Sequence, residues 1–168
     1  PTGTLGDGQR IPCPETTIMV EGRELTALVR REKANSLVFF SHDLGRTWSE
    51  PREHNFPMAS AKIYAGRLST GQRYLICTTT ADSGNRRSPL TIAVTRPGEM
   101  RFSRVQRIRD AVIAGPGESH ARAALSYPCA VEHEGKLYVA YSNDGGRGGN
   151  RNSAELAIIP ARLLDVPP

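Results

Sequence analysis

The side chains best suited to metal or nucleophilic chemistry are three cysteines and four histidines, and their spacing supports neither. Cys13, Cys77 and Cys129 lie far apart, with no CxxC and no zinc spacing. Cys77 and Cys129 fall in apolar, strand-like runs, which predicts buried free thiols. His42, His54, His120 and His133 form no HExxH or similar pattern, so neither a metal site nor a cofactor is expected. The Gly-rich "NDGGRGGNRN" lacks the Lys-Ser/Thr pair of a phosphate loop and reads as a flexible connection. The stretch with a definite local chemistry is "SHDLGRTW", residues 41–48. Asp43 is placed to accept hydrogen bonds from nearby backbone N–H groups, and Gly45 takes the positive φ of a tight turn. Thr47 and Trp48 favour a pleated, half-buried surface and are expected to begin the next strand, with the Trp48 ring anchoring the turn.

Charge narrows the partners. Lys and Arg total 22 against 17 acidic residues, a net charge of +5, and Arg greatly outnumbers Lys. That balance suits small anions carrying carboxylate or phosphate. Nucleic acid is not expected, because the arginines are scattered and only 6% of residues are aromatic. No stretch is long and apolar enough to span a membrane. No signal peptide is visible, and the opening "PTGTLGDGQRIPCPE" reads as a loop-like cut or processed end. The compartment is left open: an upstream signal peptide on a parent chain would make it secreted or periplasmic. With 38% hydrophobic residues the chain can bury a real core.

The elements that must position any site are strands and turns. "MVEGRELTALVR", "RLSTGQRYLICTT" and "EHEGKLYVAYSN" each read as strand, Gly with a polar neighbour, then strand. Gly22, Gly71 and Gly135 recur at intervals of about 50 to 65 residues, within reach of a propeller-blade period. "VTRPGEMRF" repeats the first turn in degraded form, with Gly98 and Phe102 near the places of Gly45 and Trp48. The expected fold class is all-β: about three four-stranded antiparallel blades, roughly 15–55, 56–112 and 123–168, in one partial β-propeller domain over 1–168. A β-sandwich satisfies the same strand punctuation; the internal repeat favours the propeller. "AELAIIPARLLDV" reads as a strand followed by one helical turn, since Pro160 interrupts any longer helix.

"SHDLGRTW" resembles the Asp box, Ser-x-Asp-x-Gly-x-Thr-Trp, of sialidases and related bacterial-neuraminidase-repeat propellers, through Ser41, Asp43, Gly45, Thr47 and Trp48. In that family the box lies at the blade periphery and marks fold rather than chemistry. From about Glu15 to Val166 the chain resembles the C-terminal half of a six-bladed sialidase-like propeller. The resemblance implies an exo-glycosidase that releases a terminal sialic acid or related acidic sugar from a sialoglycoconjugate. It also implies a set of site residues. Glu15 in "ETTIMV" resembles the Glu that activates the nucleophile, and Arg30 the second arginine of a carboxylate clamp. In "GNRRSPL" Arg87 resembles the third arginine, with Arg86 as the alternative, and Tyr127 in "SYPCAVE" matches the nucleophile. The Tyr127 hydroxyl is expected within about 2.5–3.0 Å of the Glu15 carboxylate.

Chemistry accounts for these residue types. The anomeric carbon of a sialic acid already carries a carboxylate, which repels an anionic nucleophile; a Tyr hydroxyl deprotonated as it attacks suits it better. Arginine binds a carboxylate through planar, charge-assisted hydrogen bonds. The family's Asp acid/base and first clamp arginine belong to its N-terminal half. "QRIP" resembles the segment of that first arginine, but Arg10 lies five residues before Glu15 and reads as a loop residue. By itself the chain is therefore expected to be nearly inactive, and the missing half or a second copy would close the propeller. The alternative from another class is a non-catalytic propeller that binds glycans or acts as a scaffold.

Overall fold

The computed structural model describes residues 10–11, 14–32, 35–79, 87–149 and 151–167. Eleven strands follow one another: β1 (Thr16–Glu21), β2 (Glu24–Val29), β3 (Leu37–Ser41), β4 (Arg52–Glu53), β5 (Tyr64–Arg67), β6 (Arg73–Thr78), β7 (Leu90–Thr95), β8 (Phe102–Arg109), β9 (Leu125–His133), β10 (Lys136–Asn143) and β11 (Ser153–Pro160). A 3-10 turn, Ala161–Leu164, follows Pro160, as expected from the Pro that ends the strand. No α-helix occurs among the described residues.

The strands form three antiparallel meanders. The first sheet runs β1-β2-β3-β4, the second β5-β6-β7-β8, and the third has three strands, β9-β10-β11. Hairpins at Gly22 and Gly135 use the left-handed backbone that glycine adopts without a Cβ clash, at φ 60° and 68°. The first strands of successive sheets abut. Thr17 Oγ1 accepts from the Ala65 N–H at 3.1 Å, and the Tyr64 hydroxyl donates to Ala130 O at 2.9 Å. The N-terminal ends of β1, β5 and β9 are thereby carried by three adjoining strands.

Packing explains the sequence texture. The middle sheet is buried on both faces, so β6 and β7 read as continuous apolar runs rather than alternating ones. Ile76, Leu90, Ile92 and Val94 meet Leu125, Leu137, Val139 and Tyr141 of the third sheet. Leu75, Cys77 and Ala93, on the opposite face, meet Met19, Leu28 and Val38 of the first. Cys77 is buried as expected, and burial pushes its thiol up to about 12. Cys129 departs from expectation: it is exposed. β9 is covered on one side only, so a residue that looks buried in an apolar run faces solvent.

The turn after β3 is locked by its own side chains. Thr47 donates to Asp43 twice, from its N–H at 2.9 Å to Oδ1 and from its hydroxyl at 2.7 Å to Oδ2. Ser41 Oγ donates to Asp43 Oδ1 at 2.9 Å and accepts from the Gly45 N–H at 2.8 Å. Gly45 has φ 85°, and Trp48 Nε1 donates to its carbonyl at 3.1 Å. Trp48 packs on the cluster of Ile11, Ala27, Val29, Leu37 and Phe39. The hydrogen bonds of Thr47 hold the Asp43 carboxyl down at about 2, against a small opposing effect of burial. Thr47 and Trp48 do not begin a strand, contrary to expectation. The carboxylate has already taken both Thr47 donors; the chain touches β3 again through the Ser49 N–H, which donates to Phe40 O at 2.8 Å, and the regular ladder begins at Val38 opposite Arg52.

Candidate functional site

Glu15 lies just before β1 and Arg30 just after β2, so the hairpin register sets them opposite each other. The Arg30 N–H donates to Glu15 O at 3.0 Å, and Arg30 Nη1 donates to Glu15 Oε2 at 2.6 Å. Arg30 Nη2 reaches across to Ser60 O at 3.2 Å, in the segment leading into β5. Its Nε is buried without a partner. Such an orphaned donor is costly in a folded interior and marks an arrangement worth explaining.

Tyr127 occupies an irregularity in β9. Cys129 pairs with Ala140 and Ser126 with Ser142, so Tyr127 and Pro128 together face the single residue Tyr141. Tyr127 has φ 53°, a left-handed conformation that a bulky residue adopts only under constraint from its surroundings. A bulge of this kind re-aims a side chain out of the strand's alternation. Tyr127 is 42% exposed rather than packed in the core. Two cations flank it: Lys62 Nζ lies 5.9 Å and Arg87 Cζ 5.8 Å from the ring centroid, both in cation–π range. Arg87 is tied to the head of β9, its carbonyl accepting from the Leu125 N–H at 2.9 Å.

The structure thus brings Glu15 to Arg30, and Tyr127 to Arg87. No hydrogen bond joins Tyr127 to Glu15; the carboxylate is given to Arg30 instead. Arg86 lies outside the described residues, and Arg10 is exposed. Sequence reasoning missed Lys62. The available signal was that Lys62 lies two residues before the first strand of the second sheet, close to the place of Glu15 in the first, in a chain poor in lysine. Neither Lys62 nor Arg87 makes an ion pair among the described residues.

A second polar constellation, also absent from the sequence reading, joins the outer strand of the second sheet to the third. Glu155 on β11 accepts from Arg109 Nε at 3.0 Å and Nη2 at 3.2 Å, Tyr141 hydroxyl at 2.9 Å, Asn143 Nδ2 at 2.9 Å and the Glu118 N–H at 3.1 Å. Burial raises the Glu155 carboxyl, but donors from Asn143, Tyr141, Glu118 and Arg109 outweigh it and hold it below the usual range. Burial, with Glu155 alongside, pushes Tyr141 up to about 12. Every acceptor position is filled, so this cluster has no valence left for a ligand. A separate cleft of about 330 Å³ opens between the first two sheets, lined by Met19, Leu28, Phe40, Arg73, Met100 and Phe102. No group of His, Cys, Asp and Glu able to hold a metal ion occurs among the described residues, and no helix is long and apolar enough to cross a membrane.

Comparison with known proteins places this architecture. The chain shares its fold with the NanB sialidase of Streptococcus pneumoniae, with TM-score 0.67 and 12% identity, covering 92% of this chain and 25% of that one. It is similar to an intramolecular trans-sialidase from Ruminococcus gnavus, with TM-score 0.63 and 16% identity, over 92% of this chain and 34% of that one. An alpha-L-arabinanase of Penicillium chrysogenum matches with TM-score 0.64 and 16% identity, over 89% of this chain and 47% of that one. The chain therefore spans between 25% and 47% of the length of these structures, and the likeness is one of fold. No curated protein matches it in sequence. The model of the BNR repeat-like domain matches residues 10–139, well over half of the chain. With its three antiparallel meanders and their shared fold, the chain belongs to the BNR repeat-like domain family.

Proposed function

We propose that this chain carries part of the site of a sialidase-like exo-glycoside hydrolase acting on a terminal acidic sugar. The observation that supports the reading is Tyr127: exposed, held at positive φ on a bulge, and flanked by two cations without acidic partners among the described residues. A neutral arabinan gives such cations nothing to pair with, whereas a sugar carboxylate does. In the reaction, Tyr127 Oη attacks the anomeric carbon, the phenol proton passes to the Glu15 carboxylate, and the bond to the leaving oxygen breaks as that oxygen takes a proton from the acid/base that the resemblance places in the family's N-terminal half. The covalent tyrosyl glycoside is then released by water. The resemblance would put both Arg30 and Arg87 in the carboxylate clamp; the pairing of Arg30 with Glu15 favours Arg87 for that role. Ser41, Asp43, Gly45, Thr47 and Trp48 act as a structural Asp box, away from the chemistry.

A second reading rests on one contact. Glu15 is paired with Arg30 and not with Tyr127, which favours a module that binds an acidic glycan without cleaving it. A sialosyl fluoride bearing a second fluorine next to the anomeric carbon separates the two, because fluoride leaves without a proton from an acid. Mass spectrometry should find one glycosyl adduct on Tyr127, absent in Tyr127→Phe. Saturable binding with no adduct would leave the binding module in place and remove the hydrolase.

A further inference from the structure

Building on the acidic-sugar reading, we infer that Lys62 and Arg87 form the anion-holding pair beside Tyr127, and that Arg30 is a positioning residue for Glu15. Charge compensation carries the argument. Arg30 Nη1 is 2.6 Å from Glu15 Oε2, its Nη2 is committed to Ser60 O, and its side chain is 11% exposed. An incoming carboxylate meets the Glu15 charge together with the Arg30 charge, and the two largely cancel. Lys62 and Arg87 are different. Both are partly buried, both lie within 6 Å of the Tyr127 centroid (5.9 and 5.8 Å), and neither has an acidic partner among the described residues. Partial burial reduces screening of these two charges and strengthens their pull on an anion.

The two cations are also chemically distinct. A guanidinium offers a planar fork that matches a carboxylate face. An ammonium on a four-carbon stem is a compact charge with three rotatable donors, which suits an oxygen in a less defined direction. The pair fits a sugar whose anomeric carbon bears a carboxylate, with Arg87 gripping it and Lys62 completing its charge from the β5 side of the ring. Glu15, held by Arg30 from both backbone and side chain, keeps one carboxylate oxygen clear of Arg30.

The test uses the 168-residue chain, N-acetylneuraminic acid and its methyl ester, with affinities read by calorimetry or NMR titration. The wild type should favour the acid over the ester. Lys62→Met should weaken acid binding about tenfold, the scale of a charge-assisted hydrogen bond, and leave ester binding alone. Lys62→Arg keeps the charge and should recover most of the loss, which separates the effect from misfolding. Arg30→Gln should slow adduct formation at Tyr127, and alter its pH profile, far more than it weakens acid binding. Acid binding by Lys62→Met equal to wild type overturns the inference and leaves the acidic-sugar reading standing. A wild type that binds ester as tightly as acid, or neither, overturns both.

Discussion

Among the described residues the partly buried arginine–glutamate pairs include Arg109–Glu155, Arg73–Glu21 and Arg30–Glu15, and the first and last are finished to different degrees. At Arg109–Glu155 the carboxylate receives five hydrogen bonds, and its arginine spends further donors on the carbonyls of Asp110 and Glu118. At Arg30–Glu15 one carboxylate oxygen holds the ion pair, the Arg30 Nε is buried and unpartnered, and the Glu15 side chain is 30% exposed. A saturated pair can only hold sheets together. A pair with open valence, in a fold that also holds a bulged tyrosine flanked by two cations, leaves room for something that is not part of the chain. The same two residue types thus serve structure in one place and a candidate site in the other; the filling of the carboxylate separates these two pairs, whereas a buried unpartnered donor also occurs at Arg73 Nη1.

The largest expected effect breaks the saturated pair. Glu155→Ala leaves Arg109 buried and uncompensated, and should cost about 3–5 kcal/mol in denaturant unfolding. A loss below about 1 kcal/mol would show that the network is not a structural clasp. Next come the two tyrosines. Tyr141→Phe removes a hydrogen bond to a charged group and should cost about 1.5–3 kcal/mol. Tyr127→Phe, at an exposed ring, should stay within about 0.5 kcal/mol of wild type. Equal losses at both would erase the contrast. At the open pair, Glu15→Gln should cost under about 1 kcal/mol, because the ion pair is partly in solvent. The same change should nonetheless suppress glycosyl trapping at Tyr127.

The smallest effect concerns Asp43, a third carboxylate, saturated by local donors instead of an arginine. Its folded carboxyl lies at about 2, below the ordinary 3.8. A depressed folded value stabilises the fold above the unfolded value, and that contribution disappears as pH falls. Between about pH 4 and pH 2 the wild-type melting temperature should therefore fall more steeply than that of Asp43→Asn. Parallel curves would mean that the turn does not depend on the charged carboxylate. Substrate-site measurements should be unaffected by the same substitution.

What could be read from the chain alone was whatever a few neighbouring residues decide. The "SHDLGRTW" turn closes within its own eight residues, so Ser41, Asp43, Gly45, Thr47 and Trp48 declare the turn before any fold is known. The strand rhythm and the Gly-centred hairpins are equally local, and they pointed to an all-β meander. Even so, local propensity placed Thr47 and Trp48 in a strand, because it could not weigh the Asp43 hydrogen bonds against a two-residue ladder. Long-range pairing was beyond reach. Arg109 and Glu155 meet across 46 positions, and nothing near either residue signals the other. Lys62 and Tyr127 are brought together only because β5 and β9 abut. Cys129 looked buried because a run of apolar residues does not say how many faces of its sheet are covered. Which strand heads converge, and which faces stay open, is fixed by how whole sheets stack, since only that packing sets the distances on which ion pairing and desolvation depend.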